Sequence, residues 1–255
     1  MSGAVLVVGG TGEARDLAGR LVDSGIGVLT SLAGAVARPR LPEGEVRIGG
    51  FGGPDGLRDW LVGHRPLAVV DASHPFAARI SRSCVVACAA TEVPLLRLER
   101  PAWAPGEGDR WHEVDDVREA AEVASRLGRS LLVTTGRRDL APFAALTEVR
   151  VLARCVDPPT QPLPSHVEVL LDRGPYTVDG EQALMREHGV DVLVTKNSGG
   201  PLVAAKLRAA RELGVAVVMI RRPAPAGAPT VPDVDAALAW VQGRLPDDVA
   251  TSHRP

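Results

Sequence analysis

This 255-residue chain contains few aromatic residues and few lysines, and it has no excess of basic charge. It contains three phenylalanines, four tryptophans and one tyrosine, and its 29 basic and 31 acidic side chains leave a formal net charge of −2. A domain that binds nucleic acid normally carries a basic excess to neutralise phosphates and aromatic side chains to stack on bases. The composition therefore argues against a nucleic-acid partner.

Long apolar runs and closely paired cysteines are also missing. No segment reaches the roughly 18 consecutive apolar residues that a membrane-spanning helix requires, and the first ten residues lack the basic region of a signal peptide. We therefore expect a cytoplasmic protein with no membrane partner. The chain has no C-x-x-C motif, so Cys84, Cys88 and Cys155 are expected to be buried thiols, and no metal site is expected.

Only two of the 29 basic side chains are lysines, Lys196 and Lys206. The arginine excess is typical of a composition bias that also favours Ala, Gly and Pro, so it lowers the weight of any single arginine. Lysine carries a compact charge with three donors, whereas arginine carries a flat fork. The two retained lysines therefore indicate either a geometric demand or surface ion pairing.

Short runs rich in Val, Leu and Ile alternate with amphipathic stretches along the whole chain. This alternation predicts an α/β fold with two Rossmann-like domains, mostly parallel sheets and a ligand cleft between the domains. Residues 1–99 are expected to form the first domain and 111–245 the second. Residues 100–110, rich in Pro and Gly, are expected to form a linker, and 246–255 a disordered tail.

The predicted secondary structure follows from the same pattern. Strands are expected at Val5–Val8, Val28–Ser31, Val46–Ile48, Leu67–Asp71, Leu95–Leu98, Leu131–Thr134, Val149–Val156, Val167–Leu171, Val192–Thr195 and Val215–Ile220. Helices are expected at Gly12–Ser24, Asp55–Gly63, Pro75–Thr91, Val117–Leu127, Val178–His188, Leu202–Leu213 and Val234–Arg244.

A glycine-rich segment, GGTGEAR, connects the first predicted strand to the first helix. Glycines at such a turn let a pyrophosphate approach the N–H groups at the start of the helix. Arg15 replaces the third glycine of G-x-G-x-x-G, whereas a G-x-x-G pattern from Gly9 fits. We therefore predict that residues 1–99 bind a dinucleotide; a purely structural turn is the alternative. The predicted cofactor ligands in this segment are Gly9, Gly10, Thr11, Gly12, Glu13 and Ala14.

The residues after the second and third strands bear on the choice of cofactor. The second strand is not followed by the Asp or Glu that usually holds the ribose in an NAD site. Thr30, Ser31 and Arg38 suit a ribose 2′-phosphate and favour NADPH over NADH, unless the arginine only solvates a loop. The segment GGFGG, with Gly50, Phe51, Gly52 and Gly53, is expected either to line the nicotinamide side or to be a flexible connection.

Two common enzyme classes lack their required residues. The short-chain dehydrogenases use Y-x-x-x-K, but Tyr176, the only tyrosine, is followed four residues later by Gly180. No G-x-S-x-G motif for a serine hydrolase is present.

Six motifs in order resemble the precorrin-6A reductase family over residues 4–223. They are GGTGEAR, SLAG, VRIGGFGG, DASHPFA, TTGRRDLAPF and VTKNSGG. The resemblance implies an NADPH-dependent oxidoreductase that reduces one double bond of precorrin-6A to give precorrin-6B in cobalamin biosynthesis. It implies a small-molecule tetrapyrrole as substrate and other cobalamin-pathway enzymes as partners. Ala35 stands where the family places an arginine after SLAG, so Arg38 is expected to supply that phosphate contact.

The substrate carries many carboxylates, so its site is expected to offer scattered cationic and amide donors. Ser73 and His74 follow the fourth strand, where His74 is placed to donate a proton or hydrogen bond and Pro75 is expected to begin a helix. A helix-capping histidine is the alternative. In the second domain the expected substrate ligands are Thr135, Gly136, Arg137, Lys196, Asn197, Ser198 and Lys206. The alternatives are solvated or ion-paired surface residues for Arg137 and the lysines.

We expect direct hydride transfer from the nicotinamide to a ring carbon, with the protein mainly positioning the two reactants. His74 and Lys196 are the candidate catalytic residues, and water is the other possible proton source. Two alternatives stay open at this point. One is a cobalt-precorrin-6A reductase that uses NADH, and the other is a non-enzymatic NADP-sensing protein.

Overall fold

Two six-stranded sheets with helices packed against them organise the chain. The computed structural model describes residues 3–34, 40–201 and 203–245, and every strand pairing in it is parallel. One compact unit comprises the described residues up to Arg100 and from Ala224 onwards, and the other comprises Pro101–Pro223. The expected α/β class with two parallel sheets is confirmed.

The elements alternate along the chain as expected. The strands are β1 Val5–Val8, β2 Val28–Leu32, β3 Glu45–Ile48, β4 Ala68–Asp71, β5 Leu95–Leu98, β6 Trp111–Val114, β7 Ser130–Val133, β8 Arg150–Cys155, β9 Val167–Leu171, β10 Val192–Lys196, β11 Ala216–Ile220 and β12 Thr230–Val231. The helices are α1 Gly12–Asp23, α2 Gly53–His64, α3 Ala78–Thr91, α4 Val117–Leu127, α5 Ala141–Ala144, α6 Val178–Glu187, α7 Ala205–Leu213 and α8 Val234–Gln242.

The first sheet has the strand order β12-β5-β4-β1-β2-β3. β1 is apolar throughout because both faces of a parallel sheet are covered by helices. Val5 and Val7 share one core cluster with α1 and α8, whereas Leu6 and Val8 share another with α2 and α3. β4 lies beside β1, with Val8 opposite Asp71. The segments that follow these two strands therefore begin side by side.

The second sheet has the order β6-β11-β10-β7-β8-β9. Its central strand, β10, pairs with β7 on one side and β11 on the other. Leu132, Leu193 and Met219 of these strands are fully buried in a cluster that also contains Met185 of α6 and Leu207 of α7. The carboxyl ends of β7 and β10 are therefore neighbours, and each is followed by an irregular segment.

The C-terminal elements differ from the expected domain boundaries. β12 pairs with β5, and α8 packs beside α1 in the core of the first unit. Residues 224–245 thus belong to the first unit, although we expected them in the second, because an amphipathic pattern does not reveal which sheet a helix covers. Of the expected linker, residues 100–110, Arg100 belongs to the first unit and Pro101–Arg110 to the second. The expected tail, 246–255, lies outside the described residues.

Three expected helix starts were also wrong. α2 begins at Gly53, two residues before the expected Asp55. α3 begins at Ala78, and Pro75 occupies the second position of a β-turn in which the Ala77 N–H donates to the carbonyl of His74. α7 begins at Ala205, and the expected start, Leu202, lies outside the described residues. Three short elements, β6, α5 and β12, were not predicted. Within the described ranges, no helix is long and apolar enough to cross a membrane.

Candidate active site

The glycine turn, Gly9–Gly12, connects β1 to α1. The Thr11 hydroxyl accepts a hydrogen bond from the Ala14 N–H at 3.1 Å and donates one to the carbonyl of Ala72 at 2.8 Å. Thr11 therefore caps α1 and ties the turn to the segment after β4. The first-turn N–H groups of a helix have no partners inside the helix, and they form a site for an anion with the help of the helix dipole.

Gly9 packs its backbone directly on the segment after β4. Its φ is +128°, and a Cβ there would lie 2.6 Å from the Cα of Ser73 and 2.7 Å from the carbonyl oxygen of Ala72. No larger residue fits this position without moving backbone. The two neighbouring segments are thus in direct contact.

Two charged residues accompany the glycine turn. Glu13, in the first turn of α1, pairs with Arg100 at 2.8 Å, so an arginine neutralises this carboxylate at the end of the helix where a phosphate is expected. Arg15 donates from Nη1 to the carbonyl of Gly10 at 2.9 Å. Arg15, which replaces the third glycine of G-x-G-x-x-G, therefore brings a positive charge to the glycine turn. From the sequence alone it was only a departure from that motif.

A second cation lies where β2 and β3 end. Arg47 of β3 donates to the Ser31 hydroxyl at 3.2 Å and to the carbonyls of Gly49 and Gly50 at 2.7 and 2.8 Å. Its guanidinium lies 3.9 Å from the centre of the Phe51 ring. Arg47 was not predicted, because strand patterning gave no reason to separate it from the other arginines. It pairs in register with Ser31 of β2, beside the end of that strand.

The other expected residues of this region differ in their accessibility. Thr30 is fully buried, and its hydroxyl oxygen has no hydrogen-bond partner among the described residues, so burial argues against the expected ribose contact. Arg38 lies outside the described residues. Gly52 and Gly53 have φ values of +84° and +92°, and α2 begins at Gly53. GGFGG is therefore a second glycine-rich strand-to-helix turn.

The His74 loop, Ala72–Ala77, follows β4. The Phe76 N–H donates to Nδ1 of His74 at 3.2 Å. Because Nδ1 acts as acceptor, the neutral imidazole carries its proton on Nε2. In this neutral form His74 can donate a hydrogen bond from Nε2, whereas donation of a proton requires the imidazolium. His74 is not the cap of α3, whose N-cap is Ala77.

A buried ion pair lies beneath the His74 loop. Arg97 of β5 and Asp71 of β4 are in register, their side chains are 8% and 3% exposed, and Nη1 of the arginine lies 2.7 Å from Oδ2 of the aspartate. The same guanidinium contacts Glu99 at 2.6 Å and donates to the hydroxyls of Ser73 and Ser81. Sequence reasoning did not single out this network.

In the second unit, three residues meet at the carboxyl ends of β7 and β10. Lys196, the last residue of β10, donates from Nζ to the carbonyl of Thr135 at 3.0 Å and forms an ion pair with Asp139. Gly136, with a φ of +99°, turns the chain between them. The segment leads into the four-residue α5, and Arg137 donates to the carbonyl of Pro158. Asp139 was not predicted, since no spacing rule connects it to Lys196.

Asn197 has a structural role in place of the expected substrate contact. Its amide oxygen accepts from the Trp103 N–H at 2.8 Å, and its amide nitrogen donates to the Trp103 carbonyl at 2.9 Å. Arg222 donates to the carbonyls of Asn197 and Ser198 at 2.9 and 3.2 Å. A Cβ on Gly199 would lie 2.2 Å from the carbonyl oxygen of Pro101. The segment after β10 is thus bound to Pro101–Trp103 and opens no helix.

Lys206 lies inside the second unit, where we expected a substrate contact or a surface ion pair. It is 5% exposed, and its ammonium lies 5.8 Å from the centre of the Trp103 ring. Burial, and then the positive charge of Arg154, lower its pKa to about 7, while Glu181 opposes the shift. Arg154 and Glu181 are themselves a buried pair at 2.8 Å. A lysine in this position is not available to a large substrate.

The three cysteines are buried and free, as expected. Burial raises the pKa of each thiol, to about 12 for Cys88. A thiolate nucleophile at these positions is therefore disfavoured. Among the residues that the structure describes, no group of three or more His, Cys, Asp and Glu is arranged to hold a metal ion.

Known proteins resemble this chain over nearly its whole length. Residues 4–242 match the family described as precorrin-6x reductase CbiJ/CobK. The chain belongs to this family. A precorrin-6A reductase of Rhodococcus erythropolis is 51% identical over 239 residues, 93% of this chain and 96% of that protein. A cobalt-precorrin-6A reductase of Priestia megaterium is 33% identical over 236 residues, 86% and 90% of the two chains. The solved structure of a CobK precorrin-6A reductase, 38% identical, covers 96% of this chain and 97% of its own with a TM-score of 0.90.

Membership of the CbiJ/CobK family confirms the resemblance carried by the six motifs. Several residues that sequence reasoning missed lie inside those same motifs. Arg15 belongs to GGTGEAR, Arg47 to VRIGGFGG, Asp71 to DASHPFA and Asp139 to TTGRRDLAPF. Each of these four motifs lies at the carboxyl end of a parallel strand, and each contains a charged side chain that contacts the end of a strand or the segment after it.

Proposed function

We propose that this protein catalyses the NADPH-dependent reduction of precorrin-6A to precorrin-6B in cobalamin biosynthesis. The observation that carries the proposal is the contact between the glycine turn and the His74 loop, in a member of the CbiJ/CobK family. The glycine turn, which we propose binds the dinucleotide, lies against the loop that carries His74, the proposed proton donor. We propose the cytoplasm as its location and the other cobalamin-pathway enzymes as its partners, because they would supply its substrate and take up its product.

The residues of the first unit fit a dinucleotide. The N–H groups of Gly12 and Glu13 open α1 and suit the pyrophosphate, and Gly9 leaves the approach free of a side chain. Arg15 adds positive charge at the same turn. Arg47 suits a ribose 2′-phosphate, because a guanidinium binds phosphate through paired donors, and Ser31, only 4% exposed, accepts a hydrogen bond from this guanidinium. Arg47 therefore supports NADPH as the cofactor, in the role that the sequence assigned to Arg38.

NADPH, when bound, supplies the hydride that reduces the double bond. We assign His74 to protonate the substrate as the imidazolium: it gives up its Nε2 proton and becomes a neutral imidazole, and in this protonated form Nδ1 no longer accepts from the Phe76 N–H. Lys196 is fixed by Asp139 and Thr135, and its ammonium suits a carboxylate of the tetrapyrrole. Gly136, Arg137 and Ser198 remain proposed substrate contacts, whereas Ser73 is 6% exposed and is bound by Asp71 and Arg97. Alignment of the reactants contributes about 7–11 kcal/mol of barrier lowering in well-oriented reactions, so positioning is the main task of these residues.

The direct test incubates the purified protein with NADPH and precorrin-6A and follows the absorbance of both compounds. We expect stoichiometric loss of NADPH and of the macrocycle's conjugation, with precorrin-6B identified by mass. Omission of either reactant is the control. NADPH binding without any turnover would favour the NADP-sensing alternative and overturn the reductase proposal.

One relative supports a second candidate function. The Priestia megaterium relative is named cobalt-precorrin-6A reductase, which makes a cobalt-containing ring the alternative substrate for this chain. NADH is the alternative cofactor that we consider with it. Parallel assays with metal-free and cobalt-containing substrates, each with NADPH and NADH, separate the two. We expect the metal-free ring with NADPH to give the highest kcat/KM.

Substitution of Arg47 by methionine is expected to raise the KM for NADPH by about 10- to 100-fold, the effect of losing a charge-assisted hydrogen bond to phosphate. The KM for NADH should change little, since NADH has no 2′-phosphate. Steady-state kinetics with both cofactors measures the ratio. Arg58→Met, on the exposed surface of α2, is the matched control.

An equal rise in both KM values would contradict this assignment, because it would mean that Arg47 only braces the carbonyls of Gly49 and Gly50. Arg38→Met tests the original sequence prediction in the same assay. If Arg38→Met alone lowers the preference for NADPH, the phosphate contact belongs to Arg38.

Substitution of His74 by glutamine is expected to lower kcat by about 100-fold, as is typical for removal of a general acid. NADPH affinity should be retained.

Substitution of Lys196 by methionine should instead raise the KM for precorrin-6A, by about tenfold for one charge-assisted hydrogen bond. Steady-state kinetics over a range of substrate concentrations separates the two effects. If both variants keep wild-type turnover, neither side chain is the proton donor.

A further inference from the structure

We propose that Asp71 and Arg97 are positioning residues, which hold the His74 loop against the glycine turn and so set the geometry of the cofactor turn and of His74 together. The catalytic consequence rests on the proposed reductase function. The positioning itself is a property of the free protein, and it is measured without substrate.

The first argument is the burial of the pair. Both side chains are less than a tenth exposed, and both sit near the carboxyl ends of neighbouring strands, β4 and β5. Removing two charges from water is costly, and apolar replacements of buried pairs are often equally or more stable. Stability alone therefore does not account for an ion pair here, whereas a requirement for fixed geometry does.

The second argument is where the remaining hydrogen bonds go. Oδ1 of Asp71 accepts from the Ser73 N–H at 3.0 Å, and Nη1 of Arg97 donates to the Ser73 hydroxyl at 3.0 Å. The two partners of the ion pair thus bind the same residue, one through its backbone and one through its side chain. Ser73 is held from both, so it cannot shift without breaking a charge-assisted bond.

The third argument is what touches Ser73. The Cα of this residue is the surface on which Gly9 packs, and His74 is the next residue along the chain. A displacement of Ser73 therefore moves the glycine turn through contact and His74 through the chain. A misplacement of about 1 Å lowers turnover by about 100-fold in well-aligned reactions.

The shape of the guanidinium completes the argument. Arg97 also donates to the Ser81 hydroxyl of α3 at 3.1 Å and contacts Glu99 at 2.6 Å. An ammonium group has three donors and no planar fork, so lysine cannot make all these contacts from one position. Arg97→Lys therefore keeps the charge and loses the geometry.

The experiment compares Asp71→Asn and Arg97→Lys with the parent by hydrogen–deuterium exchange of the free protein. We expect peptides covering residues 72–77 and 9–12 to exchange about tenfold faster, the change for one lost charge-assisted hydrogen bond. In the reductase assay we expect a kcat about 100-fold lower and a raised KM for NADPH. Arg58→Lys, at an exposed ion pair of α2, is the matched control and should change neither.

Two outcomes are decisive. Unchanged exchange in both segments, with only a lower melting temperature, would overturn the positioning proposal. If the two variants exchange faster than the parent but the parent shows no reductase activity, the proposed function is overturned and the positioning proposal stands. If the single variants fail to fold, Asp71→Leu combined with Arg97→Met removes both buried charges at once. The double variant should fold and show the same faster exchange of the His74 loop.

Discussion

Substitution of Gly9 by alanine is expected to weaken NADPH binding by about 100-fold or more and to lower reductase activity with it. The added Cβ would lie 2.6 Å from the Cα of Ser73 and 2.7 Å from the carbonyl oxygen of Ala72, and both are backbone atoms that cannot rotate away. The φ of +128° is also a conformation that alanine rarely adopts. Overpacking and backbone strain each cost about 1–3 kcal/mol, so the affinity should fall by about 100-fold or more.

Calorimetric titration with NADPH measures the loss, and circular dichroism shows whether the fold is kept. Gly63→Ala is the matched control, because this helical glycine of α2 has no neighbouring atom within 4 Å of the new Cβ. Gly10→Ala should have a smaller effect than Gly9→Ala, since its Cβ would meet only a side-chain carbon of Leu32 at 3.4 Å. Wild-type affinity in Gly9→Ala would mean that the cofactor does not depend on this turn.

The sequence predicted the regular part of the fold well, for a physical reason. β1, β4, β7 and β10 are almost wholly buried, so their apolar runs are unmistakable. β12 has two residues, and α8 shows an apolar face without showing its partner. Its place beside α1 depends on contacts between residues more than 200 positions apart, such as Arg20 and Asp235. Local patterns carry no information on such pairings.

The sequence also predicted only part of the candidate site. Segments after parallel strands were identified because glycine and histidine stand out in a sequence, and the ends of β1 and β4 do meet. The partners that hold them were missed, because Arg47 and Arg97 are two among many arginines and their neighbours are distant in sequence. Lys206 was misplaced for the opposite reason. Its rarity attracted attention, whereas only packing shows that it is buried.

Lys206 should make the stability of the second unit depend on pH near neutrality. Its pKa is about 7 in the folded protein and 10.5 in the unfolded chain, so between these values the unfolded state binds the proton more strongly. The free energy of unfolding therefore rises with pH in this window. From the shift we expect a gain of about 2 kcal/mol between pH 6.5 and 8.5. Below pH 7 the folded state contains the buried charges of both Arg154 and Lys206 against the single carboxylate of Glu181.

Lys206→Met removes this titration and keeps an unbranched side chain of similar length. The variant should be more stable than the parent at pH 6.5 by a few kcal/mol, and the difference should shrink as the pH rises to 8.5. Urea unfolding, followed by pulsed hydrogen exchange of β10 and β11, measures the second unit directly.

Lys196→Met is the matched control, because Lys196 is the other lysine of the chain and its ion pair with Asp139 is partly exposed. Comparing the variant with the parent at the same pH cancels the contributions of the titratable groups that both proteins share. Below the upper limit of pH 8.5 the buried thiols stay protonated in the folded state. A variant less stable than the parent at pH 6.5, with the same pH slope, would show that Lys206 is charged and stabilised by Glu181. In that case the attraction to the carboxylate, rather than burial, sets the charge of this lysine.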